Sequence, residues 1–175
     1  MRVVALDTST PITTCALVDD DRVVWEQTFT GKAGDVLPGA LGDPRGFDAI
    51  AVGLGPGSFT GLRVGLAAAK ALAYARKLPI AGASSLRAIA LDAPGLVHAA
   101  TEARKGELFV QAFQNGEPQA GVQIVMAADF REPVLQKPPP ARNVARLCLS
   151  RLRGAAYDRE ACFALAPDYV QGFPR

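Results

Sequence analysis

The sequence predicts an α/β protein of two lobes, the second one shortened. Three observations predict it. Both halves of the 175-residue chain open with strand-like apolar segments and finish with helix-like ones. The longest helical stretch, alanine-rich and free of acidic residues, falls in the first half. The second half holds fewer residues of helical pattern, so the lobes are assigned to residues 1–93 and 94–175.

The elements follow in order. Residues 2–8 are a short apolar run ending in Asp7 and Thr8, which predicts a buried strand. Thr13–Val18 and Arg22–Phe29 are rich in β-branched and aromatic residues, and Asp19-Asp20-Asp21 between them predicts a hairpin turn. Residues 31–46 hold five glycines and two prolines, which leaves room for at most about two helical turns around Asp35–Leu41. Ala49–Leu54 is another buried strand. Gly55-Pro56-Gly57 then breaks the backbone, and Phe59–Lys77 predicts the longest helix. Six alanines, Ser58 or Thr60 as cap, and Arg76-Lys77 at the negative end of its dipole support it. Pro79-Ile80-Ala81 predicts a short strand and Ser84–Leu91 a serine-capped helix. Beyond Pro94-Gly95, Leu96–Ala100 and Glu107–Phe113 read as a strand pair around Glu102–Gly106, with Val122–Met126 as a third strand. Lys137-Pro138-Pro139-Pro140 is a stiff connector, and Asn143–Leu152 carries an apolar stripe at helical spacing.

Composition narrows the function classes. Apolar residues make up 49% and charged residues 21%, which fits a packed core and excludes a disordered chain. The net charge of +2 demands neither nucleic acid nor an acidic membrane surface. No apolar run approaches the roughly 18 residues a membrane helix needs, and Asp7 stops the first one, so neither a span nor a signal peptide is expected. Three cysteines, Cys15, Cys148 and Cys162, lack CxxC spacing and argue for a reducing cytoplasm. Residues 131–175 carry 8 basic and 4 acidic side chains, either a solvated helix face or a surface for RNA phosphates.

Candidate chemistry lies in two loops and one helix face. His98 is the single histidine, so no site built on paired histidines is available, and Ser58 in Gly-Pro-Gly-Ser-Phe does not match the G-x-S-x-G elbow. No catalytic residue and no metal ligand is therefore expected. Asp7-Thr8-Ser9-Thr10, after a buried strand, is either a loop for metal-bridged phosphate or an Asx or Ser/Thr turn. Gly55, Gly57 and Ser58 precede the long helix, where backbone N–H groups can hold an anion. The segment matches neither the P-loop nor G-x-G-x-x-G, and a tight strand-to-helix turn is the other reading. On the helix, Gly61, Gly65, Ala68 and Ala69 form a small-residue face that admits a close backbone, from the chain's own sheet or another subunit. Leu62 and Leu66 widen the apolar face beyond one core contact.

These residues resemble a known family. Leu6-Asp7-Thr8-Ser9-Thr10, then Val52 through Gly65 with Lys70 following, then Gly82-Ala83-Ser84-Ser85-Leu86, are similar to the TsaB (YeaZ) family of tRNA threonylcarbamoyladenosine biosynthesis. Glu102-Ala103-Arg104-Lys105-Gly106-Glu107-Leu108-Phe109 and Pro167-Asp168-Tyr169 resemble further motifs of that family. The resemblance is dense over residues 3–91 and thins beyond 113. It implies the actin/sugar-kinase/Hsp70-like (ASKHA) two-lobe fold. It also implies a non-catalytic subunit that pairs with the paralogue TsaD, which transfers threonylcarbamoyl to adenosine 37 of tRNA, with the ATPase TsaE joining and tRNA reached through the complex. Self-association through the first-lobe helices is implied as well. On this reading Leu37, Gly61, Leu62, Gly65, Leu66, Ala68, Ala69 and Lys70 face a partner, and Asp7–Thr10 with Gly55, Gly57 and Ser58 form a vestigial phosphate loop. No tightly bound cofactor is expected, with ATP or ADP confined to a complex interface. The alternative is an ATP-binding or ATP-hydrolysing enzyme using Asp7 and the Gly55–Thr60 turn. The sequence departs from the family at Lys32-Ala33, where His-Ser is usual, and Gly39 and Gly42 shorten the first helix.

Overall fold

The computed structural model describes residues 1–40 and 46–170. Strands β1 (Arg2–Asp7), β2 (Ile12–Asp19) and β3 (Arg22–Thr30) form an antiparallel meander, and α1 (Ala33–Ala40) follows. Leu41 and Gly42 lie outside the described residues. β4 (Ala49–Gly53) and β5 (Ile80–Ala83), joined by α2 (Phe59–Arg76), run parallel to β1 and complete a sheet of order β3-β2-β1-β4-β5. The short α3 (Ser85–Ala90) leads to a second sheet of β6 (Leu96–Glu102), β7 (Glu107–Gln114), β8 (Glu117–Pro118), β9 (Gln123–Met126) and β10 (Val134–Gln136). Its order is β10-β6-β7-β8, with β9 also on β7. Two helices close the chain, α4 (Ala141–Leu152) and α5 (Arg159–Ala164).

Strand periodicity divides the first core in two. Val4, Leu6, Ile50 and Val52 point to one face, under Leu37, Leu66, Ala69 and Ala73 of α1 and α2 and Cys162 of α5. Val3, Ala5, Ala49 and Ala51, with Ala81 and Ala83, point to the other, where α4 lays down Val144, Ala145, Cys148 and Leu152. That second face is floored mostly by alanine, so α4 sits close to the strands. Of the two helices of the second half, α4 therefore packs on the sheet of the first half and α5 on α2. The second sheet packs Ala99, Phe109 and Phe113 against Leu86 and Ile89 of α3. Its other face carries the segment 127–133, where Phe130 stands edge-on to His98 and Glu132 Oε2 lies 3.0 Å from His98 Nε2.

Most expected elements are present. β8, β10 and α5 are additions: two residues, three residues and one short helix, none long enough to show a period. α1 carries Pro38 inside it and still reaches 8 residues. Among the described residues no helix is long and apolar enough to cross a membrane.

Polar ties fix α4. Arg142 donates its backbone N–H to Glu26 Oε1 at 3.0 Å, which sets a carboxylate at the positive end of the helix, and its guanidinium pairs with the same Glu26. Asn143, fully buried, donates through Nδ2 to Ala88 O at 3.0 Å and Asp92 Oδ2 at 2.9 Å, joining α4 to the end of α3. Asn143→Leu takes a donor from the Ala88 carbonyl and one of three from the Asp92 carboxylate, and is expected to lower unfolding free energy by about 1–3 kcal/mol in urea titrations.

Candidate functional site

β1 delivers Asp7 to the end of the first sheet, directly beneath the N-terminus of α2. The carboxylate is fully buried and fully engaged. Oδ1 accepts from Ser9 N at 2.8 Å and Ser9 Oγ at 2.6 Å, and Oδ2 accepts from Ser85 Oγ at 2.6 Å. Ser85 Oγ in turn accepts from Gly55 N at 3.0 Å. One carboxylate thus ties the loop after β1, the start of α3 and the turn before α2. Burial pushes the Asp7 carboxyl above its ordinary value, and the hydrogen bonds from Ser85 and Ser9 pull partly back. Burial, then the Asp7 charge, pushes the Cys15 thiol up to about 12.

The neighbouring glycines are required by close approach. A Cβ at Gly57 would overlap Ser9 O, one at Gly61 would overlap Thr8 O, and one at Gly65 would overlap Thr8 Oγ1. Ser58 N donates to Ser9 O at 2.7 Å and Thr8 Oγ1 to Gly61 O at 2.8 Å, so loop and helix are bonded face to face. Gly55, at φ +93°, holds the left-handed region that favours glycine. Ser58 caps α2 by accepting from Gly61 N at 3.2 Å. Thr10 Oγ1 donates to Ile12 O at 2.8 Å. Asp7 and Ser9 form the Asx turn that was one of the two readings of this loop. A cleft of about 630 Å³ between the sheets lies beyond it, lined by Thr10, Phe59, Thr101, Glu102 and Lys137 among others.

The expected partner face needs a correction. Leu37, Leu62, Gly65, Leu66 and Ala69 are buried in the chain's own core, because Thr8 fills the glycine notch and the first sheet takes the leucines. Gly61, Ala68 and Lys70 are half-buried, and Lys70 Nζ donates to Phe163 O at 2.8 Å. The surface of α2 that remains open comprises the exposed residues Phe59, Thr60, Arg63, Ala67, Ala71, Tyr74 and Ala75. The signal for it was present in the sequence: 63, 67 and 71 repeat at i, i+4 on the side away from the leucines.

The basic C-terminal segment is also occupied. Arg142 pairs with Glu26 and Asp92, Arg146 with Asp92 at 2.7 Å, Arg153 with Asp20 at 3.2 Å, and Arg151 donates to Gly82 O at 2.6 Å. Partial burial of Asp92 works against its charge, but Asn143, Arg146 and Arg142 hold its carboxyl below the usual range. These arginines act first as fasteners of α4. Among the described residues no three His, Cys, Asp or Glu side chains converge as a metal site.

A strand meander continued by parallel β4 and β5, with a helix crossing between them and a second, smaller sheet behind, defines the actin/sugar-kinase/Hsp70-like class. The fold is shared with YeaZ of Pseudomonas aeruginosa at a TM-score of 0.77 and 23% identity, over 97% of this chain and 99% of that one. Relatives named TsaB, more than 30% identical over two thirds or more of the chain, place it in the TsaB (YeaZ) family. Residues 39–169 match the family model described as "TsaD: tRNA N6-adenosine threonylcarbamoyltransferase". The chain is 32% identical over 157 residues to the tRNA threonylcarbamoyladenosine biosynthesis protein TsaB of Bacillus subtilis, covering 80% of this chain and 69% of that protein. It is 34% identical over 131 residues to TsaB of Escherichia coli, covering 67% and 57%.

Two outcomes follow from this geometry. Gly65→Leu drives its side chain into Thr8 and is expected to destabilise the fold by about 1–3 kcal/mol, seen as a lower urea midpoint by circular dichroism. A carboxyl whose pKa rises on folding contributes stability at acid pH and loses it as pH rises through the folded value. The stability of the protein relative to Asp7→Asn is therefore expected to fall from about pH 4 upward, in urea titrations run at successive pH values.

Proposed function

We propose that the chain is a non-catalytic subunit of tRNA threonylcarbamoyladenosine biosynthesis that pairs with a TsaD-type paralogue and supports threonylcarbamoyl transfer to tRNA. The observation that carries this reading is the state of Asp7. In a fold of this class a carboxylate after the first strand is well placed to hold a metal-bridged phosphate. Here both its oxygens are taken by Ser9 and Ser85, and Gly57 and Gly61 bring the α2 turn down onto Ser9 and Thr8. Phosphate chemistry at this loop would require breaking the joint that holds three segments together. The relatives named TsaB supply the pathway, and a TsaD-type family model spans most of the chain.

The docking side is the open crest of α2. Ala67 and Ala71 make a shallow floor on which a partner helix can lie close, and α1 flanks it. A second copy would use the same crest when the paralogue is absent. The ATPase TsaE and tRNA join through the complex, and ATP or ADP belongs at a subunit interface rather than at Asp7. This role places the chain in the cytoplasm, which suits three buried, unpaired cysteines.

The test is reconstitution. Purified paralogue is expected to modify tRNA only weakly alone and fully with this chain, read as threonylcarbamoyladenosine by mass spectrometry. Ala67→Arg places a charge on the crest without touching the core. It is expected to weaken pairing at least about tenfold by calorimetry, roughly 1.4 kcal/mol. Equal modification with and without the chain would overturn the reading, as would saturable binding of magnesium-ATP abolished by Asp7→Ala.

A further inference from the structure

Four aromatic side chains are exposed among the described residues, and all four stand on one side of the molecule. They form two pairs, each taking one ring from α2 and one from the C-terminal segment. At the start of the helix, Phe59 (51% exposed) and Tyr169 (48%) have ring centroids 5.9 Å apart. At its end, Tyr74 (43%) meets Phe163 (54%) edge-on at 5.8 Å. Each pair holds a cation. The Arg63 guanidinium lies 3.8 Å over the Phe59 ring while Arg63 Nε donates to Tyr169 Oη at 3.2 Å. Lys77 Nζ lies 4.1 Å over Tyr74. By helical rise the two pairs stand about 22 Å apart, with Ala67 and Ala71 open between them.

The C-terminal segment is fixed to α2 rather than draped on it. Asp158 caps α5 by accepting from Ala161 N, Cys162 is fully buried beside Ala69 and Ala73, and Leu165 joins the same cluster. Lys70 Nζ holds Phe163 O, and Asp168 N donates to Leu54 O at 2.8 Å. The anchors point inward and the rings outward. Exposed rings held in place lose little freedom on binding, and aromatic residues with arginine are the commonest anchors of protein interfaces. α2 bears Arg63, Lys70 and Arg76, with Lys77 as its C-cap, and no acidic residue. Asp158, Glu160 and Asp168 outnumber Arg159 on the segment, which leaves that helix as the cationic part of the face.

We infer that residues 158–170 are a built-in half of the docking face: Phe163 and Tyr169 anchor the paralogue together with Tyr74 and Phe59. The partner surface that fits is a helix with small residues at its centre, lying on Ala67 and Ala71. Carboxylates near its two ends would meet Arg63 and Lys77. This assignment rests on the pairing proposed above and names which residues carry it.

Calorimetry of the full chain with purified paralogue at two salt concentrations tests it. Phe163→Ser/Tyr169→Ser, folded by circular dichroism, is expected to bind about 30-fold more weakly or worse. Ile124→Ser/Met126→Ser, on the second sheet, serves as the control and is expected to bind as the wild type does. Arg63→Glu is expected to weaken binding about tenfold and flatten its salt dependence. Hydrogen exchange on the unaltered chain gives an independent reading: paralogue should protect the amides of 159–169. Wild-type affinity in the double variant, or no protection of that segment, overturns the assignment while leaving pairing intact. Absence of any wild-type binding removes the pairing itself. A double variant that loses only self-association, or only affinity for tRNA, assigns the rings to another occupant and overturns the proposal.

Discussion

A buried carboxylate held by two serine hydroxyls and a backbone amide organises this molecule. Asp7 receives three hydrogen bonds, from two groups of Ser9 and one of Ser85, at 2.6–2.8 Å. Charge-assisted bonds of that kind offset part of the cost of burying the ion. They also fix geometry. Ser85 is the first residue of α3, so its bond sets the link between the two sheets, and Gly55, held through Ser85, sets the turn into α2. Three segments far apart in the chain share one anchor.

The glycines complete that anchor. Gly53 must also lack a side chain, since a Cβ there would overlap Asp7 Oδ2. A glycine-rich block that would suit a phosphate cradle here serves contact between backbone and backbone. The same residues could accommodate a ligand or a neighbouring loop. Thr8 and Ser9 supply the loop, and the helix comes down upon it. What this arrangement leaves over is an ordered α2 whose inner side is consumed and whose outer side is open.

Much of this was legible in the sequence, and the reasons divide by range. α2 is local in origin, with alanine content and a Ser58 cap that act within a few residues, and it starts and ends where those features place it. β1 to β5 show as apolar or β-branched runs with turn residues between them. α5 did not show, because its six residues are held by Cys162 reaching a core some 90 positions earlier in the chain, the Cys162 to Lys70 separation being 92. β10 sits between Pro133 and Pro138 and is defined by pairing with β6. The direction of the glycine notch was hidden for the same reason. Thr8 and Gly61 are 53 positions apart, and no periodicity in the helix reports which neighbour enters its groove.

The placement of α4 carries a consequence for how the protein is made. The alanine-floored side of the first sheet is covered by residues 141–152, with Asn143 and Arg142 latching onto α3 and β3. During synthesis the leading half emerges with that side bare, and it stays bare until residues 141–152 have been made. Ala49, Ala51, Ala81 and Ala83 present little greasy area in the meantime. Small side chains there leave room for the late helix and keep the apolar patch that waits for it small.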